Sequence, residues 1–340
     1  MIKISKGLGN LAAATLGFYR QIGVEEVQVP ERFNTNINLR PLVPPTQKKA
    51  AGPMPPAWDE DELQRLCDHV RGFELAPTAI GLPISGRILL GQEGRDEDLE
   101  DVIERIQMAG RVGFAVMTWN FTALRASEGY AAQEGAGRGG AHLRDFDDAR
   151  IRDLPPLDDV GRHGMEAMWG RLEYCLQRIV PAAEAAGVRL AMHPNDPPVP
   201  EYRGVAQPLW NLEGMKRLIE VVDSPANSLF FDTGVTTEYG DDAVEAIRYF
   251  GERDRIGIVH FRNVRVEQPY YKYTETFLDE GECDIVGCMR AFAEVGYEGG
   301  IDPDHTPGIV GDTEETQMGW AYAVGQLRAL RLAAYGGKSS

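Results

Sequence analysis

The stretch GMEAMWGRLEYCLQRIVPAAEAAGVRLAMHPNDPP (residues 164–198) decides the fold. Its first two-thirds read as a helix that stops at Gly187, a residue suited to the left-handed turn that closes helices. The apolar run VRLAMH (188–193) that follows has the length and composition of a buried strand. Helix followed at once by strand is half of a β/α repeat, and the repeat continues. Strand-like runs at 228–232, 256–261 and 300–304 follow, each separated from the next by one helical segment. Upstream, strands are predicted at 2–5, 26–30, 75–82 and 114–118, with helices near 59–73 and 95–112. Eight strands in this rhythm predict an α/β chain folded as a (β/α)8 TIM barrel, one domain over residues 1–336 with 337–340 as a flexible tail. Two long segments rich in Pro, Gly and charge, about 31–58 and 122–160, each follow a strand. They are expected at the C-terminal face as lids or substrate-contact loops, with disordered surface decoration as the alternative.

A chain of 340 residues is long enough for one such barrel. Its formal charge of -17 argues against a nucleic-acid partner, since phosphate binding needs a basic surface, and favours a small-molecule substrate. Cys67, Cys175, Cys283 and Cys288 form no C-x-x-C pair, so reduced thiols and a cytoplasmic location are expected. The apolar stretch 7–18 is interrupted by Asn10 and lacks a signal-peptide cleavage site, and no run of about 20 apolar residues predicts a membrane span. GAGRGG (135–140) fits a dinucleotide fingerprint only formally, because no strand precedes it; it reads as loop.

Three of the six histidines, His193, His260 and His305, fall at or just beyond predicted strand ends. Asp232 in FFDTG and Asp304 in DPDH hold equivalent positions. In a parallel barrel the strand ends converge on the open top, so His193, Asp232, His260 and Asp304 are expected to form a mixed nitrogen and oxygen metal site. Such donors suit Mn2+, Fe2+, Zn2+ or Co2+ and leave positions for substrate oxygens. Taken singly, a strand-end Asp is equally a helix cap and a lone His equally a core residue.

The HPNDPP motif (193–198), with IVPAAEAAGVRLAM before it, resembles the mannonate dehydratase family, metal-dependent sugar-acid dehydratases of the xylose isomerase-like barrel superfamily. The resemblance continues through DTG (232–234), HFRNV (260–264), EGECD (280–284) and PDH (303–305). It covers the last half of the chain well and the first half loosely, through RQIG (20–23) and WNF (119–121). It implies metal ligands at His193, His260 and Asp304; the family's cysteine ligand falls on Asp232, a harder donor also found in the wider superfamily. A divalent metal is therefore implied, Mn2+ first, with Mg2+, Fe2+ or Co2+ as alternatives. The chain departs from the family at VPERFNTN (29–36) and at the C-terminal Gly-Tyr-Ser, where Gly319, Trp320, Ala321 and Tyr322 stand in a different register.

The resemblance implies a lyase that removes the proton α to a carboxylate and expels the neighbouring hydroxyl, turning an aldonic acid into a 2-keto-3-deoxy acid. His305 is the expected acid/base, with a role in orienting Asp304 as its alternative. Tyr322, Tyr273 or Glu275 is expected as a second proton carrier. Arg262 is expected on the substrate carboxylate, and Asn120 and Asn195 on its hydroxyls, with salt bridge or cap as the alternative roles. The competing readings are a keto-sugar isomerase or epimerase with the same metal, and an inactive sugar-binding barrel. The expected partner is a sugar acid or sugar, with self-association into a homo-oligomer left open.

Overall fold

The computed structural model describes residues 1–29 and 52–336. Pro30, most of the first insertion (31–51) and the tail 337–340 lie outside the described residues. Eight strands, β1 (Lys3–Gly7), β2 (Glu26–Val29), β3 (Ala76–Gly81), β4 (Val116–Trp119), β5 (Arg189–Met192), β6 (Asn227–Asp232), β7 (Ile256–His260) and β8 (Gly300–Asp302), pair in parallel in chain order. They close when β8 pairs with β1. This is the expected (β/α)8 barrel. Strands such as β6, buried at every residue, read as continuous apolar runs because both faces of a parallel barrel are covered. The helix Met165–Ala186 stops where the sequence says it should: Gly187 takes φ 69° and its amide donates to the carbonyls of Ala183 and Glu184.

Side chains two residues apart share a face of a strand. Ala79, Val116, Ala191, Phe230 and Ile258, one from each of β3 to β7, form a separate buried cluster. Two residues beyond Ala191, Phe230 and Ile258 stand His193, Asp232 and His260. The same alternation that fills the barrel therefore places three polar side chains above the filling. Register adds to this, since Asp232 on β6 lies directly opposite His260 on β7.

The insertion 122–160 is folded. Its strands Tyr130–Gln133 and Leu143–Asp147 join the hairpin Asn263–Gln268 and Lys272–Thr276, which follows β7, in a four-stranded antiparallel sheet. GAGRGG lies between the first two of these strands and contains a 3-10 turn, consistent with a loop reading. The four cysteines are free and buried. No helix among the described residues is long and apolar enough to cross a membrane.

Candidate active site

One oxygen of Asp232 and one nitrogen each of His193 and His260 come together above Phe230. Asp232 Oδ2 is 3.4 Å from His193 Nε2 and 3.4 Å from His260 Nδ1, and the two nitrogens are 3.1 Å apart. The three ligand atoms fit within 4.8 Å of one another. His193 Nδ1 donates to the Pro194 carbonyl at 2.8 Å, which fixes the tautomer and leaves Nε2 as a lone-pair donor. Asp232 also caps the helix Thr233–Glu238, its Oδ1 accepting from the Val235 amide at 2.8 Å, so cap and ligand roles coexist on one carboxylate. Two imidazoles and a carboxylate, one imidazole already oriented, fit a divalent first-row metal. Phe230, with its ring centroid 3.9 Å from that of His260, makes the floor apolar.

Asp304 stands at the other edge of His260. Its Oδ1 is 3.4 Å from His260 Nε2, and its Oδ2 is 3.3 Å from His305 Nε2 and 3.2 Å from Arg262 Nε. It therefore links the imidazole pair to the third histidine rather than closing the tightest trio. Its backbone takes the left-handed φ of 55°, an uncommon conformation for a residue with a Cβ, and its amide donates to Asp302 Oδ1. Burial favours a neutral His305, but Asp304 and Glu275 outweigh it and raise the imidazole pKa.

Arg262 is not among the residues that line the cavity. It is buried, and its guanidinium is taken up by Asp232 (3.0 Å), Glu238 (2.6 Å), Asp196 (3.1 Å) and Asp304. Burial resists ionisation of Asp232, yet Arg262 and the two histidines hold its carboxyl well below the usual carboxylate range. Glu238 goes the other way: burial, reinforced by Asp196 and Asp232, pushes it well above that range despite Arg262, and its Oε2 has no partner among the described residues.

The remaining expectations divide. Asn120 lies at the end of β4 and lines a cavity of about 1450 Å³ with His193, His260, Asp304 and His305. Asn195 instead is fully buried, donating to Thr122 Oγ1 and accepting from the Leu209 amide, so it braces the loop after β5. Tyr322 is not at the cavity: its phenol donates to Asp279 and accepts from Arg138 on the outer side of the helix Gln317–Tyr335. Trp320, two residues earlier, is the side chain that faces the cavity, with Lys6 Nζ 4.0 Å from its ring centroid. Tyr273 is buried, its hydroxyl against Asp196 and Tyr130. Glu275 is 3.1 Å from His305 Nδ1 and pairs with Arg144, which makes it a partner of His305 rather than a group open to substrate.

Sequence reasoning missed Arg144 and Tyr130. Arg144 sits directly opposite Glu275 in the antiparallel sheet, and Tyr130 opposite Phe146 in the neighbouring strand pair. The usable signal was the alternation in HLRDFD (142–147), which marks a strand inside the insertion.

A closed barrel whose strand ends gather histidines and carboxylates around one cavity is the arrangement of a TIM-barrel enzyme. Residues 147–335, more than half of the chain, match the family model of D-mannonate dehydratase (UxuA). The chain belongs to that family, and with it to the lyases. A mannonate dehydratase of Streptococcus uberis is 27% identical over 285 residues, which cover 77% of this chain and 82% of that protein. The crystal structure of mannonate dehydratase from Streptococcus suis serotype 2 superposes with a TM-score of 0.81 at 24% identity, covering 100% of this chain and 95% of that one. A structure of L-ribulose 3-epimerase shares the fold with a TM-score of 0.60 at 16% identity, covering 99% and 97%.

Proposed function

We propose that this protein removes water from an aldonic acid to give a 2-keto-3-deoxy acid, using a divalent metal, Mn2+ by preference, held by His193, Asp232, His260 and Asp304. The observation that carries the reading is the continuity of the site: His260, Asp304 and His305 touch in sequence along one cavity wall. Metal-ligating and proton-moving groups thereby reach one small substrate together. When bound, the ion supplies Lewis-acid stabilisation of the negative charge that develops on substrate oxygens.

His305 moves the proton. Glu275 on Nδ1 orients its ring, and Nε2, the nitrogen beside Asp304, takes the C2 proton and returns it to the departing hydroxyl. The step breaks the C2–H and C3–O bonds, releases water, and leaves an enol that returns to the 2-keto acid. Phe230 gives the site an apolar floor, and Asn120 offers an amide to a hydroxyl. A cytoplasmic enzyme acting on a sugar acid as one barrel domain, with neither nucleic acid nor membrane as partner, accords with the charge of -17 and the buried free thiols.

The test is incubation of the Mn2+-loaded protein with aldonic acids, D-mannonate included, in deuterated buffer. The proposal expects a 2-keto-3-deoxy acid from at least one of them, and none after chelation. Solvent deuterium exchanged into a ketose without loss of water would replace dehydration by isomerisation. No turnover with any acid or ketose would leave a sugar-binding barrel.

A further inference from the structure

We infer that Arg144 is the residue that recognises the substrate carboxylate, and so selects sugar acids over neutral sugars. The inference rests on the sugar-acid reading above and deepens it. Among the described residues, three side chains that are cationic at neutral pH line the cavity: Lys6, Arg125 and Arg144. Lys6 is buried and committed to Asp302 at 2.8 Å. Arg125 is exposed, and no contact among the described residues fixes its guanidinium. Arg262, the sequence's own candidate, is enclosed by four carboxylates.

Arg144 combines fixity with access. Its Nε and Nη2 bind the Glu275 carboxylate side-on, with Nε to Oε2 at 2.8 Å, and its guanidinium carbon lies 4.4 Å from the centroid of the Tyr130 ring. Two partners thus lock the plane of the guanidinium. Its side chain is still 42% exposed, and Nη1 has no partner among the described residues. A planar fork with one edge held and the other open is the form in which arginine takes a second carboxylate.

Position completes the argument. Arg144 Nη2 lies 3.3 Å from His305 Nδ1. A carboxylate bound on the open edge of Arg144 has its α-carbon one bond away, beside the imidazole that is to move the α-proton. Anchor and acid/base are thereby set at the spacing the substrate dictates. Glu275 touches both Arg144 and His305, so one buried carboxylate orients anchor and acid/base together.

The test compares D-mannonate with D-mannonamide, its uncharged amide, as ligands of the Mn2+-loaded protein by titration calorimetry, in the parent and in Arg144→Gln, Arg144→Lys and Arg125→Gln. The parent is expected to prefer the acid by about 10- to 100-fold, the worth of one charge-assisted pair. Arg144→Gln should erase that preference while its amide affinity and metal content stay as in the parent; Arg144→Lys should restore part of it. An unchanged preference in Arg144→Gln, or its loss in Arg125→Gln instead, overturns the inference. If Arg144→Gln fails to fold, an Arg144→Lys variant that keeps the full preference does the same. Because the readout is binding, it separates from the dehydration assay: a protein that prefers the acid through Arg144 but turns over no acid loses the activity reading alone.

Discussion

Arg262 shows how one buried side chain can hold several acidic groups of a site together. It satisfies Asp232, Glu238 and Asp196 at once, and its bond to Asp232 Oδ2 orients the very oxygen that faces His193 and His260. Removing one member of a buried ionic network leaves the others desolvated and unpaired, at a cost of about 3–5 kcal/mol. Arg262→Met is therefore expected to lower the free energy of unfolding by that amount in a urea titration of the metal-free protein; a midpoint like that of the parent would show that the network is dispensable. The meeting of His193, Asp232 and His260 was legible from the sequence, because each falls at the end of a barrel strand. Arg262 was legible as a charge near the site, not as a buried strut: whether an arginine faces substrate or carboxylates depends on Glu238 and Asp196, which come from other loops.

The elements that cover the barrel were harder to read than the barrel. Strands β1 to β8 announce themselves as apolar runs because each is buried on two faces. The strands Leu143–Asp147 and Lys272–Thr276 are polar on one side, lie some 130 residues apart, and acquire their meaning only by pairing with each other. That pairing, Arg144 opposite Glu275, is what turns a polar insertion into part of the site. The covering layer is also tied down at its rim by Arg138, which binds Asp279 at 2.9 Å. Burial is the largest single influence on Asp279 and opposes its ionisation, but the hydrogen bonds from Arg138, Gln326 and Tyr322 together outweigh it and hold the pKa at about 2. A carboxyl whose pKa is depressed on folding contributes stability above its unfolded value, about 3.9, and loses that contribution as pH falls toward 2. Both partners are partly exposed, so the pair is worth only about 0.2–1 kcal/mol. The expected outcome is local: between pH 4 and 2 the loop at 134–141 becomes open to an acid protease before the barrel does, and Asp279→Asn opens it already at pH 5. Equal cleavage of parent and variant at pH 5 would show that this tie does not hold the loop.

At the scale of the whole molecule, the barrel fixes three groups on one apolar floor and the inserted sheet brings the arginine and glutamate that frame His305. The family is D-mannonate dehydratase, yet the candidate metal site carries Asp232 where the resemblance implies a cysteine, and Trp320 rather than a tyrosine turns toward the cavity. Dehydration by this site requires a metal bound where these side chains meet. Crystals grown with Mn2+ and measured on both sides of its absorption edge test this directly. The prediction is one strong anomalous peak at roughly 2.0–2.2 Å from His193 Nε2, Asp232 Oδ2, a nitrogen of His260 and a carboxylate oxygen of Asp304, the usual range for nitrogen and oxygen donors to a divalent first-row metal. A map from fully ordered crystals with no peak between these residues, or with its strongest peak elsewhere, would contradict it.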